Sequence, residues 1–173
     1  MSKINIFISQ EEPSWKDILP QVETVADSVV SKVFDYVSHH EQIDFLDGNK
    51  PIMFNLSLSN NKLVQDLNRD YRGMDKPTNV LSFASIDDPN FYNDLALYEE
   101  VELGDIIIAL ETLQQEAEIK QIPLQNHFCH LLTHGLLHLL GFDHIEDEEA
   151  EYMEITEIEI LSTLNIPNPY KEL

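Results

Sequence analysis

From Ile4 to Ile8 apolar and polar residues alternate, the two-residue period of a strand with one buried face. The period then lengthens. From Trp15 onward Ile18, Leu19, Val22, Val25, Val29, Val33 and Val37 fall at mainly three- and four-residue steps, which predicts an amphipathic helix with Pro20 tolerable only near its start. Alternation returns at Ile52, Phe54, Leu56 and Leu58, predicting a second strand that ends at Ser59, a suitable cap for a helix over about Asn60 to Asn68. A third strand is predicted over Asn79 to Ile86 and an acidic loop around Asp87 to Asp94. The run from Val101 to Ile108 reads as a fourth strand, apolar enough at its end to be central. Helical periodicity then dominates, over Ala109 to Lys120, Leu124 to Leu140 and Asp147 to Leu164.

Strands gathered in the first two thirds and helices in the last third predict an α+β fold: a small, roughly four-stranded mixed sheet packed by about five helices. Periodicity does not encode strand order. At 173 residues and 43% hydrophobic, the chain suits one core and is short for two, and no repeat or Gly/Ser linker marks a boundary, so residues 1–173 are expected to form a single domain. No apolar run approaches the roughly 18 residues of a membrane span, and MSKINIFISQEEPSW lacks the tracts of a signal peptide. The expectation is a cytoplasmic protein without a membrane partner. The lone Cys129 cannot form an internal disulfide, in keeping with a reducing compartment.

Ten basic against thirty-two acidic residues give a formal charge of −22, which by itself opposes broad attraction to nucleic acid or anionic lipid. Placement qualifies this. Lys62, Arg69, Arg72 and Lys76 lie within fifteen residues, whereas Asp143 to Glu159 holds nine carboxylates and no cation. On composition alone the first cluster reads as a solvated helix face and the second as the exposed side of a helix.

Within the last third, "HGLLHLLGFDH" runs from His134 to His144. A four-residue helical step turns a side chain by only about 40° and rises about 6 Å, so His134 and His138 project side by side and can share one cation. Gly141 is suited to end the helix in a left-handed conformation, and the reversal would bring His144 to the same ion. One zinc ion held by His134, His138 and His144 would keep a tetrahedral position open to water, the arrangement of a catalytic site. Cys129 lies half a helical rotation from His138 and reads as a core residue. His127 and His130 are competing candidates, but a site built on His130 and His134 would need a longer return path for His144. The spacing HxxxHxxGxxH is that of metzincin proteases, yet Gly135 stands where those enzymes carry a glutamate base. Asp143 and Asp105 are alternative carboxylates, and Asp143 serves equally well as a turn residue orienting a ligand.

Three segments, "NRDYRGMDKPTNVLSF" from Asn68 to Phe83, "ELGDIII" from Glu102 to Ile108, and "HGLLHLLGFDH", together resemble the YbeY-type endoribonucleases, also described as rRNA maturation factors. Phe142 and Ala84 depart from the expected tyrosine and proline, and neither replaces a proposed ligand. The resemblance implies an α+β metal-dependent endoribonuclease that matures the 3′ end of the small-subunit ribosomal RNA and takes part in ribosome quality control, with ribosomal RNA and ribosomal proteins as partners. It assigns Arg72 the functionally essential arginine, whose guanidinium can grip a phosphate bidentately and stabilise charge there. Arg69 and Lys76 become candidates for neighbouring phosphates. Two other classes stay open: a ribosome-associated binding factor with a mainly structural metal, and a metal hydrolase of another substrate.

Overall fold

The computed structural model describes residues 3–171. Strands β1 (Ile4–Gln10), β2 (Ile52–Ser59), β3 (Val80–Ala84) and β4 (Val101–Ala109) form one sheet in the order β1-β2-β4-β3, with β3 antiparallel to β4 and the other pairs parallel. The sheet is therefore mixed, as expected, and the isoleucine-rich β4 is an inner strand. Ile52, Phe54, Leu56 and Leu58 of β2 are at most 1% exposed and face the main helical layer, while Asn55 and Ser57 between them face the other way. On β4 the alternation slips by one residue near Gly104, opposite a register irregularity between Met53 and Asn55. Past the slip, Ile106 and Ile108 join the main core, whereas Asp105 and Ile107 turn to the opposite face.

The main layer is built around α6 (Leu124–Leu139), which packs against α2 (Val22–His40), α5 (Leu110–Lys120) and α7 (Asp147–Ser162) as well as β3 and β4. Phe128, Leu132, Leu136 and Leu139 of α6 are fully buried, each contributing roughly 1.5–3 kcal/mol by leaving water. On the opposite face α3 (Asn61–Arg72) buries Val64 against Leu81, Ile107 and Ala109 in a smaller cluster. His134 and His138 thus ride on a helix enclosed by the sheet and three other helices.

Local departures from the periodicity have identifiable causes. The helix expected from Trp15 is two: α1 (Trp15–Ile18) and α2 part at Leu19, because Pro20 lacks an N–H and its ring would strike the preceding turn. Trp15 anchors α1 by donating its indole N–H to the Ser59 carbonyl at 2.9 Å. Asn60, not Ser59, caps α3: its side chain accepts from the Leu63 N–H at 2.9 Å, and the helix runs on to Arg72. β3 stops at Ala84 and passes into a 3-10 turn over Ser85–Asp87. The supposed acidic loop contains α4 (Phe91–Leu97), pinned where Phe91 buries its ring edge-on to Phe45. Five helices of eleven residues or more pack the sheet, four on the main face and α3 on the other, with α1 and α4 as short additions.

Candidate metal centre

His134 and His138 sit one helical turn apart on α6, with ring centroids 4.6 Å apart and Nε2 atoms 3.1 Å apart. The helix then ends in a hydrogen-bonded reversal: the Gly141 N–H donates to the His138 carbonyl at 3.0 Å and the Phe142 N–H to the Leu137 carbonyl at 2.9 Å. This closure requires φ of +100° at Gly141, which an L side chain resists. It returns the chain so that the His144 ring lies 4.7 Å from that of His138 and 5.6 Å from that of His134. One nitrogen from each of the three lies within 4.8 Å of the others.

Hydrogen bonding determines which nitrogens face the centre. The His138 Nδ1–H donates to the Phe142 carbonyl at 2.9 Å, and the His134 Nδ1–H to the Glu157 carboxylate at 3.1 Å. A carbonyl and an ionised carboxylate only accept, so both protons are assigned to Nδ1, leaving each Nε2 with a lone pair in the neutral ring. Burial first, then the adjacent His134, pushes His138 below the ordinary histidine value and favours its neutral form. Two lone pairs 3.1 Å apart repel unless a cation lies between them. Ligands of a tetrahedral zinc ion stand about 3.3 Å apart, given bonds of about 2.0–2.1 Å. The donor set therefore fits a divalent metal held by imidazole.

Glu157 supports this arrangement from α7. Its side chain is only 1% exposed, and Oε1 also meets His130 Nε2 at 3.1 Å while Oε2 accepts from the Tyr170 hydroxyl at 2.8 Å. Burial pushes the carboxyl up, but the hydrogen bonds from His130 and His134 outweigh it and hold it at about 2. The acidic segment is thus not wholly a solvated face. The signal was present: Met153, Thr156, Glu157, Ile160 and Leu161 follow helical spacing and are all buried. A carboxylate on that apolar stripe needs buried partners.

The three histidines open into a cleft of about 480 Å³ whose wall includes Arg72, Ser82, Asp87 and Asp143. Arg72 reaches it from the last turn of α3 and, among the described residues, makes no ion pair. Arg69 and Lys76 do not line it. Arg69 is held by Asp66 and Asp70 at 3.2 and 3.0 Å. His130 reaches the cleft wall but turns its Nε2 toward Glu157 and Tyr170, and His127 turns its Nε2 toward Glu116, 3.0 Å away. The earlier histidines therefore do not form the competing trio.

Of the two alternative carboxylates, Asp143 is on the cleft wall and accepts from the His144 N–H at 2.7 Å, the orienting turn role. Asp105 is on the far face of the sheet, where Asn55 donates to it at 2.9 Å. Gly135 explains why no glutamate occupies the metzincin position: a Cβ there would lie 3.1 Å from Ile106 and 3.2 Å from Ser82. Two side chains of the sheet crowd this position and would have to give way to any side chain placed there. Cys129 is buried in the core, and burial pushes its thiol up to about 11. No described helix is long and apolar enough to cross a membrane.

Comparison with known proteins bears on this geometry. The family model described as Endoribonuclease YbeY matches residues 12–165. Proteins named Endoribonuclease YbeY from Paramagnetospirillum magneticum and Sinorhizobium fredii are 40% and 37% identical, each over 98% of this chain and over 97% and 94% of their own lengths. Another from Magnetococcus marinus is 46% identical over 69% of this chain and 84% of its own. The solution structure of TM1509 from Thermotoga maritima, 20% identical, superposes with a TM-score of 0.50 over 99% of this chain and all of that one, a likeness of fold alone. The match across the strands, α3 and the histidine turn alike means that the chain belongs to the YbeY endoribonuclease family.

Proposed function

We propose that residues 1–173 act as one catalytic domain, a zinc-dependent endoribonuclease that cleaves single-stranded RNA. Its cellular substrate in this reading is the 3′ end of the small-subunit ribosomal RNA. The setting is cytoplasmic, where the protein serves ribosome quality control and meets ribosomal proteins. The observation that carries the reading is the pair of inward lone pairs on His134 and His138, with His144 beside them in an open cleft. An ion enclosed by four side-chain donors would suit a structural role. Three donors beside a cleft suit hydrolysis, which favours the enzyme over a binding factor.

In this mechanism His134, His138 and His144 hold the ion, and Glu157 fixes the orientation of His134. A zinc ion bound there supplies Lewis acidity, polarising a phosphoryl oxygen and acidifying water. Arg72 grips the phosphate and offsets charge building on its oxygens. Asp143 and Asp87 are the carboxylates on the cleft wall available to receive a proton. Arg69, engaged with two aspartates, and Lys76 take secondary parts in holding flanking phosphates.

The test is Arg72→Ala, assayed on a defined single-stranded RNA with metal content measured on the same sample. Arg72 is an exposed side chain, so the fold should survive its removal. Cleavage is expected to fall about a hundredfold with zinc content unchanged. Undiminished cleavage would remove Arg72 from the mechanism.

A further inference from the structure

The sheet face opposite α6 carries a second cleft, of about 640 Å³. Phe7, Tyr71 and Phe83 contribute aromatic rings to it, with Asn55 and Asp105 from the inner strands. Phe7 is 53% exposed and Tyr71 71% exposed, so neither ring belongs to the core. Tyr71 stands edge-on to Phe83 at 5.5 Å, forming an open aromatic corner.

Continuity links this surface to the catalytic cleft. Phe83 lines both, and Tyr71 immediately precedes Arg72. β3 is an edge strand, so a chain bound at Arg72 can pass its free edge to reach the second cleft. The chemistry there selects which part of that chain it meets. Glu11 and Asp105 line it and no lysine or arginine does, an environment hostile to phosphate. Nucleobases are uncharged and stack on aromatic faces without cations. Asp105 accepts from Asn55 through Oδ1, and among the described residues its other oxygen has no hydrogen-bond partner. A carboxylate so placed can accept from the amino group of a base.

We propose that Phe7, Tyr71, Phe83 and Asp105 form a nucleobase subsite for the RNA strand that enters the metal-centre cleft, gripping it by stacking and by an amino-bearing base edge. The inference rests on the endoribonuclease reading above. It also explains how a chain of charge −22 holds a polyanion: Arg72 takes a phosphate and the aromatic corner takes bases.

The experiment compares Phe7→Ala, Tyr71→Ala and Tyr71→Phe with the wild type on two single-stranded RNAs, one long enough to span both clefts and one too short. On the long strand each alanine variant is expected to raise KM about tenfold with kcat retained, and Tyr71→Phe to restore wild-type KM. The penalty should vanish on the short strand, and an abasic residue in the segment that reaches the corner should reproduce it in the wild type. Both rings are exposed, and equal melting temperatures will show that the variants fold. Wild-type KM on the long strand overturns the subsite while leaving the catalytic reading intact. Failure of the wild type to cleave either RNA removes the endoribonuclease reading and the subsite with it.

Discussion

Replacing His138 by alanine is expected to remove metal and activity together. Its Nε2 lies 3.1 Å from that of His134 and its ring 4.7 Å from that of His144, so its loss leaves two donors where three are needed to hold an ion beside an open position. Purified wild-type protein should carry about one zinc per chain, and His138→Ala well below half of that. RNA cleavage should fall to the background of a mock purification. The ring is only half-buried, so the helix should persist and circular dichroism should show it. Retained cleavage by a folded, metal-free variant would show that the ion is not part of the chemistry.

Glu157→Ala should be the most damaging change outside the ligands. One fully buried carboxylate orients His134, holds His130 and accepts from Tyr170, so alanine leaves the buried His130, the half-buried His134 and the more exposed Tyr170 without their acceptor. Breaking such a network costs roughly 3–5 kcal/mol, and losing the partner of a metal-bound imidazole weakens metal affinity about ten- to a hundredfold. Glu157→Gln keeps the shape and one acceptor, and should fall between alanine and wild type in both melting temperature and zinc affinity. If all three proteins bind zinc equally tightly, Glu157 is a core contact and nothing more.

The convergence of the three histidines was legible because every step in it is local: a four-residue helical spacing, a glycine reversal and a third histidine three residues later. The same holds for the long helices and for the alternation of β2. Local pattern could not show that Asp105 faces away from the histidines, since this depends on a slip near Gly104 against a neighbouring strand. It also missed α4, whose FYNDLAL has little apolar periodicity and is held by the contact of Phe91 with Phe45. Glu157 escaped notice through being counted with its acidic neighbours, whereas its position on the buried stripe of α7 distinguishes it from them. The pairing of Arg69 with Asp66, three residues earlier on α3, follows from helical adjacency and could have been read directly, whereas its contact with the next residue, Asp70, does not.

X-ray absorption at the zinc edge of the native protein tests the metal centre most directly. Three imidazole nitrogens and one solvent oxygen, all at about 2.0–2.1 Å, are the predicted shell. A sulfur scatterer, four imidazoles, or a fully hydrated ion without histidine would contradict it.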